Sequence, residues 1–178
     1  ASAFYTFISQ KARGKKFIAS YAAWQFLQFS IPMIFIGLVF PDTWINLVWL
    51  GQQRDLILLA FLAVFMQQQA WQTMVQIGES MRLTRLVQMM NLWLAIAHII
   101  LITTVWQLGF LSPKILFGLI AGEYVIAILI SCKFIPLGQL SDEPLDGKAL
   151  LKDYQTYCTP LILYSLLSFS IFYSKLSL

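Results

Sequence analysis

The stretch Leu56–Arg85, LILLAFLAVFMQQQAWQTMVQIGESMRLTR, decides the fold of this chain. Its first half is apolar on every side, whereas its second half is rich in glutamine and ends in two arginines. Neither Gly nor Pro interrupts the stretch before Gly78. The pattern therefore predicts one helix that begins in an apolar medium and ends among polar partners.

The glutamines of this helix predict a polar strip along one of its faces. Gln68, Gln72 and Gln76 follow one another at intervals of four residues, and Gln69 lies beside them. In hydrocarbon, each amide without a partner would cost several kcal/mol, on the order of 2–7. We therefore expect the strip to face other helices or a water-filled cavity.

Composition places the whole chain in a membrane. Of its 178 residues, 59% are hydrophobic and only 11% are charged, and the mean hydropathy is +0.73. Soluble domains carry about 25% charged residues. The apolar runs are long and apolar all round, whereas the strands of a membrane β-barrel would alternate. The expected fold is an all-α, multi-pass transmembrane helical bundle.

Five membrane spans are predicted from runs of roughly twenty apolar residues. They are Phe17–Val39, Leu56–Val75, Gln88–Trp106, Ile115–Cys132 and the shorter Pro160–Tyr173. The corresponding organisation is a basic cytoplasmic segment (1–16), four transmembrane helices (17–134), a cytoplasmic linker (135–157) and the start of a fifth transmembrane helix (158–178). We expect the chain to be a piece of a longer protein.

The distribution of basic residues predicts the orientation. With the amino-terminal end in the cytoplasm, nine basic residues lie inside: Lys11, Arg13, Lys15, Lys16, Arg82, Arg85, Lys133, Lys148 and Lys152. Only Arg54, Lys114 and Lys175 then lie outside. The excess on one side favours this orientation, because cytoplasmic loops carry most Lys and Arg.

Two ionisable residues are predicted to meet near the centre of the bilayer. His98 precedes the turn at Leu111 by thirteen residues, and Glu123 follows that turn by twelve. At 1.5 Å per residue, both reach a similar depth and are close enough to touch. An ionised carboxylate there costs roughly 2.5–3.5 kcal/mol, so Glu123 should be protonated, paired or surrounded by cavity water.

These residues and four glutamines define a candidate substrate cavity at the bilayer centre. Gln25 and Gln28 of the first span reach about the depth of the glutamine strip. The candidates are Gln25, Gln28, Gln68, Gln72, His98 and Glu123. Transporters place their sites at this depth between helices. The alternative is that the glutamines only join helices by hydrogen bonds.

Arg82 and Arg85 are candidates for binding a phosphate or an anionic headgroup. They stand three residues apart, which predicts a shared helical face at the cytoplasmic surface. The alternative is that they only set the topology. Cys132 and Cys158 have no disulfide or metal spacing, and no catalytic or cofactor motif is present. We therefore expect no cofactor, no metal, no enzyme activity and no nucleic-acid partner.

The order of four segments resembles the middle of a known transporter family. These segments are FYTFISQKARGKK, GESMRLTRLVQ, GEYVIAILI and DYQTYCTPLILYSLL. They are similar to polysaccharide flippases, which export O-antigen or exopolysaccharide units and belong to the multidrug/oligosaccharidyl-lipid/polysaccharide exporter superfamily. The resemblance implies two six-helix halves around a central cavity, of which this chain would supply the third to sixth helices and the opening of the seventh.

The resemblance also implies a function. The chain would be part of a bacterial inner-membrane transporter that turns a polyprenyl-diphosphate-linked oligosaccharide across the bilayer, with help from an H⁺ or Na⁺ gradient. Flippase cavities are lined by basic residues, but no Lys or Arg lies mid-span here, so headgroup contacts would come from glutamines, from Arg82 and Arg85, or from further helices. Alternatives are a drug/cation antiporter of the same superfamily, an integral-membrane polyprenyl-phosphate transferase and a non-transporting assembly subunit.

Overall fold

The computed structural model describes residues 15–137 and, outside that range, the single residues Ile8, Lys152, Thr156, Thr159 and Pro160. Every regular element of this described part is helical, and no strand occurs in it. The predicted all-α class is therefore confirmed there. Most of the predicted basic segment and cytoplasmic linker, and nearly all of the fifth span, lie outside the described residues.

Six α-helices follow one another along residues 15–137. They are α1 (Lys15–Ile34), α2 (Asp42–Val48), α3 (Arg54–Phe65), α4 (Gln72–Ser80), α5 (Thr84–Gln107) and α6 (Pro113–Phe134). Two π-helical segments are built into this series. Phe35–Val39 extends α1, and Met66–Trp71 joins α3 to α4 into one rod.

Three helices are long and apolar enough to cross a membrane. They are Lys16–Val39, Thr84–Gln107 and Pro113–Phe134, and they match the first, third and fourth predicted spans. The second predicted span, Leu56–Val75, is helical but is not one of the three, because the glutamines of its second half lower its hydropathy.

The predicted single helix from Leu56 to Arg85 is wrong at its end. The rod that contains α4 ends at Ser80, and a separate helix, α5, begins at Thr84. Gly78 allows this tight hairpin, since a Cβ atom there would lie 2.5 Å from Cγ2 of the buried Val87.

The main core surrounds α4 at one end of the bundle. All residues of α4 from 73 to 78 are buried. Phe17 of α1, Val87 of α5 and Ile135 beyond α6 pack into the same cluster as Ile77. This end, which we call the basic end, carries the exposed residues Lys16, Arg82, Arg85 and Lys133.

Arg54 connects the end of the first span to the start of α3, at the opposite end of the bundle. Its guanidinium donates to the carbonyl oxygens of Gly37 and Phe40, both at 2.7 Å, and to Oδ1 of Asp42 at 2.6 Å. The carbonyls at a helix end have no partner within the helix. Arg54 therefore supplies donors to the end of the first span and fixes it against the start of α3.

A second ion pair lies at this opposite end, between the starts of α3 and α6. Nζ of Lys114 lies 2.5 Å from Oδ2 of Asp55. The hydrogen bond from Lys114 holds the pKa of Asp55 below its usual value of 3.8. Both side chains are exposed, so the pair marks a part of the protein surface that is in contact with water.

Candidate functional site

The structure brings His98 and Glu123 into direct contact. Nδ1 of His98 lies 2.6 Å from Oε2 of Glu123, within hydrogen-bond distance. The predicted contact is therefore confirmed. The Glu123 side chain is only 6% exposed, whereas that of His98 is 35% exposed. The histidine thus connects a buried carboxyl group to the surface of the helix pair.

This pair lies near the middle of two candidate membrane spans. His98 is fourteen residues from the start of α5 and nine from its end. Glu123 is ten residues from the start of α6 and eleven from its end. A helix rises 1.5 Å per residue, so both groups are about 13–21 Å from the helix ends.

The second carboxylate oxygen of Glu123 has no protein partner. Oε1 is fully buried and forms no hydrogen bond with any described residue. A buried polar atom without a partner costs free energy, and such atoms in native structures require an explanation. Chemically, Oε1 can bind a proton or accept a hydrogen bond from a solute.

Glu123 also lies at one end of an apolar groove between α5 and α6. We call this cavity of about 570 Å³ the α5–α6 groove. From α5 it is lined by residues that include Leu86, Trp93 and Leu101, and from α6 by Glu123 and Phe134 among others. Apart from Glu123, its lining side chains are hydrophobic, except for the indole N–H of the tryptophans.

Gln25 is committed to an interhelical hydrogen bond. Its Nε2 donates to Oγ1 of Thr73 at 2.8 Å, and both residues are buried. The Thr73 hydroxyl in turn donates to the carbonyl oxygen of Gln69 at 2.7 Å. Gln25 therefore reaches the predicted depth, but its amide joins α1 to α4, as in the alternative interpretation of these glutamines.

The other cavity candidates among the glutamines are exposed. Gln28, Gln68 and Gln72 are all open to the surroundings of the described residues. Gln28 directly precedes Phe29, whose ring stacks on Phe65 of α3. Gln72 directly precedes Thr73, which bonds to α1. In two antiparallel helices, the residues that directly precede the contacting residues lie on the same side of the helix pair. The amides of Gln28 and Gln72 therefore share a face.

The predicted strip does not continue to Gln76. This residue is buried because α4 is covered on all sides by the main core, whereas Gln68 and Gln72 remain exposed. The strip is therefore shorter than the interval of four residues predicts, and it ends where the surrounding helices close over α4.

Two interhelical hydrogen bonds were not predicted from the sequence. Gln67 donates to the hydroxyl of Tyr124 at 3.1 Å, and Nε1 of Trp71 donates to Oδ1 of Asn91 at 2.9 Å. Both donors lie in the π-helical segment Met66–Trp71. The signal available in the sequence was the occurrence of Asn91 and Tyr124 within otherwise apolar spans.

Arg82 and Arg85 do not share a helical face, and this prediction is wrong. Arg82 lies in the turn between α4 and α5 with a left-handed backbone (φ 61°), and Arg85 lies in the first turn of α5. The helix ends two residues before Arg82, so helical spacing does not apply to it. Both side chains are exposed, and neither forms an ion pair with a described residue.

The described residues contain no group of side chains suited to hold a metal ion. No group of three or more His, Cys, Asp or Glu side chains occurs among them, and Cys132 is exposed and free. A shallow depression of about 610 Å³ at the end opposite the basic end contains Asp42 and Asp55. These carboxylates are held in ion pairs with Arg54 and Lys114 respectively.

Comparison with protein-family models, curated proteins and solved structures gives no match for this chain. The resemblance to polysaccharide flippases therefore stays a prediction.

Proposed function

We propose that this chain is part of a multi-pass membrane transporter, and not an enzyme, that turns a polyprenyl-diphosphate-linked oligosaccharide across a bacterial inner membrane. The observation that carries the transport function is the buried Glu123–His98 pair between two helices long enough to span a bilayer. The cargo is taken from the resemblance of the chain to polysaccharide flippases.

The position of Glu123 supports transport because an intramembrane acid is unfavourable. At the centre of a span it costs roughly 2.5–3.5 kcal/mol on insertion scales. Its contact with His98 offsets part of this cost but leaves Oε1 without a partner among the described residues. Acids of this kind in membrane proteins mark solute or proton pathways by default.

The partial exposure of His98 favours coupling to protons. One hydrogen bond joins its Nδ1 to Glu123, and the imidazole is accessible from outside the helix pair. Histidine exchanges protons near neutral pH more readily than other side chains. A proton arriving at His98 therefore has a direct path to the carboxyl group, which is what an H⁺-driven transporter requires.

The exposed glutamines support a polar cavity next to these helices. Gln28 and Gln72 share one face of the α1–α4 pair, and Gln68 is exposed near them. Lipid would leave their amides without partners, at a cost of several kcal/mol each. Further helices enclosing a water-filled space on this face would satisfy these amides and provide hydroxyl-binding groups for a sugar.

The orientation proposed for the transporter follows the basic residues. The basic end carries Lys16, Arg82, Arg85 and Lys133, whereas Arg54 and Lys114 lie at the opposite end and are paired with acids. The positive-inside rule then places the basic end, and with it the start of α1, in the cytoplasm.

A drug/cation antiporter is the second candidate, and one observation favours it. Oε1 of Glu123 is a buried acceptor at the end of the α5–α6 groove, where Trp71 and Trp93 are also found. A carboxylate with aromatic rings is a suitable environment for an organic cation. Glu123-dependent efflux of a cationic dye, without any effect on glycan export, would favour this candidate.

The proposed function is tested by disrupting the gene in the source cells and measuring polyprenyl-diphosphate-linked oligosaccharide by mass spectrometry. We expect the intermediate to accumulate in the cytoplasmic leaflet and the wild-type gene to restore export. Glu123→Gln and His98→Ala should each fail to restore it, because the first removes the ionisable carboxyl group and the second removes the imidazole. The double variant should be no worse than the poorer single variant, since contacting residues are not additive.

Glu79→Gln provides a matched control, because Glu79 is the only other glutamate of the described part and lies outside the pair. It should restore export fully, and all variants should reach the membrane in equal amounts. Normal glycan export after gene disruption would contradict the flippase function. Full export by Glu123→Gln would contradict the role of the pair.

A further inference from the structure

The α5–α6 groove opens outward along the surface of two candidate membrane spans. Trp93 is 64% exposed, and Ile126, Ile130 and Phe134 are also exposed. A continuous exposed apolar channel of this kind is a binding surface for an apolar ligand. In a bilayer, this surface is in contact with lipid chains.

The groove is longer on α5 than one lipid leaflet and close to one leaflet on α6. On α5 it runs from Leu86 to Leu101, which is about 22 Å at 1.5 Å per residue. On α6 it runs from Phe134 back to Glu123, which is about 16 Å. Half of a hydrocarbon core is about 15 Å thick. The groove therefore extends from the basic end to about the bilayer centre on α6, where Glu123 lies, and further along α5, to Leu101.

Unpaired positive charges stand at the open end of the groove. Arg85 directly precedes Leu86, and Lys133 directly precedes Phe134, so both cations are adjacent to its terminal lining residues. Both are exposed, and neither pairs with an acid in residues 15–137. Arg82 adds a third cation nearby, and within residues 15–137 the only acid at this end is Glu79.

We propose that the α5–α6 groove binds an anionic phospholipid of the leaflet at the basic end. One acyl chain lies along the groove, and Arg85 and Lys133 hold the headgroup phosphate. The binding site is independent of the proposed transport function, because it requires only that α5 and α6 span the membrane.

The distribution of charge selects this occupant over an organic cation. A cation that entered the groove at the basic end would pass Arg85 and Lys133, which repel it. An anionic lipid instead meets these cations at the surface and places only its chain in the groove. The Glu123 side chain, at 6% exposure, presents little polar surface to the end of that chain.

The proposal is tested by fluorescence quenching in vesicles that contain the whole protein. The probes are phosphatidylglycerol and phosphatidylcholine with identical brominated acyl chains, which quench nearby indoles. The chain has six tryptophans, so the signal of Trp93 is isolated as the difference between the wild type and Trp93→Phe. A basic residue at the membrane surface increases the binding of anionic lipid about fivefold. We expect at least about this preference for phosphatidylglycerol in the Trp93 signal.

Replacement of the two cations should remove the preference. Arg85→Gln and Lys133→Gln each lower it, and the double variant quenches equally with both lipids. Lys114→Gln is the matched control, because Lys114 is a basic residue of α6 at the opposite end. It should retain the full preference. Arg85 and Lys133 make no ion pair in the described part, so their variants should unfold at the wild-type temperature.

Three results would overturn the proposal. Equal quenching of wild-type Trp93 by both lipids would show that the groove does not select anionic lipid. A preference that persists in the double variant would exclude Arg85 and Lys133 as headgroup ligands. Relief of quenching by tetraphenylphosphonium, but not by tetraphenylborate, would show that the groove takes a lipophilic cation.

Discussion

In the rod from Arg54 to Ser80, the apolar helix α3 is less buried than the more polar helix α4. In α3, which is apolar after its first two residues, only Ile57 and Ala63 are buried. In α4, which contains Thr73, Gln76 and Gly78, every residue from 73 to 78 is buried. The apolar half is thus mostly half-buried, with Val64 exposed, whereas residues 73–78 of the polar half are enclosed by protein.

This contrast indicates the medium around each half. In water, apolar side chains are buried because their exposure is unfavourable. In a bilayer the reverse constraint applies, since polar groups must find partners inside the protein. The hydrogen bonds of Gln25 with Thr73 and of Trp71 with Asn91 provide such partners around α4. The arrangement is the one expected if α3 lies against lipid.

The largest effect is expected when a charge is placed on the exposed face of α3. Val64 is 51% exposed and lies ten residues from the start of α3, which is about 15 Å along the helix and close to the bilayer centre. Val64→Lys should raise the free energy of membrane insertion by about 2.5–3.5 kcal/mol. The measurement is the inserted fraction in a glycosylation-mapping assay.

Gln72→Lys tests the comparison on the side of α4. Gln72 is exposed on α4, on the face assigned to the polar cavity, and a lysine there should insert nearly as well as the wild type. If Val64→Lys and Gln72→Lys inserted equally well, the contrast between lipid-facing α3 and sheltered α4 would be refuted.

A smaller effect is expected when a methyl group is added at the close contact between α4 and α5. Gly78→Ala places a Cβ atom 2.5 Å from Cγ2 of Val87, and both residues are buried. Overpacking of this kind costs about 1–3 kcal/mol. The measurement is the free energy of unfolding of the protein purified in detergent.

Gly118→Ala is the matched control for this substitution. A Cβ atom at Gly118 of α6 would meet no atom within 4 Å, so the change should be neutral or stabilising by about 0.5–1 kcal/mol. Equal destabilisation by both substitutions would show that the close contact of Gly78 with Val87 does not determine the result.

The smallest effect concerns the Asp55–Lys114 pair, where α3 starts in water. Because Lys114 lowers the pKa of Asp55, the pair contributes stability above pH 3.8, and this contribution is lost as the pH falls through the lowered pKa. Asp55→Asn should therefore slightly lower the unfolding temperature at neutral pH and have no effect in strong acid. A pH-independent difference between the two proteins would exclude this electrostatic cause.

The helices and the Glu123–His98 contact could be predicted from the sequence because both depend on numbers of residues along the chain. Apolar runs of about twenty residues gave three spans that agree with the structure. Equal distances from the turn at Leu111 placed His98 and Glu123 at the same depth, and the short connection left little freedom in their register.

The polar contacts around α4 were not predictable in the same way. The π-helical segment Met66–Trp71 interrupts the 3.6-residue period, so the interval of four residues could not locate the contacts of residues within it, such as Gln67. Arg82 was assigned to a helix because the predicted helix extended to Arg85, yet α4 ends at Ser80. Burial of Gln76 likewise depends on how neighbouring helices close over α4, which no local pattern contains.

The left-handed conformation of Arg82 has a consequence for the durability of the protein. A non-glycine residue with φ near 61° is held at a cost on the order of 1–3 kcal/mol, which a glycine would largely avoid. A hairpin with glycine in place of Arg82 would therefore be more stable. Selection for thermal stability alone would tend to remove the Arg82 charge, whereas selection for binding to an anionic membrane surface would retain it.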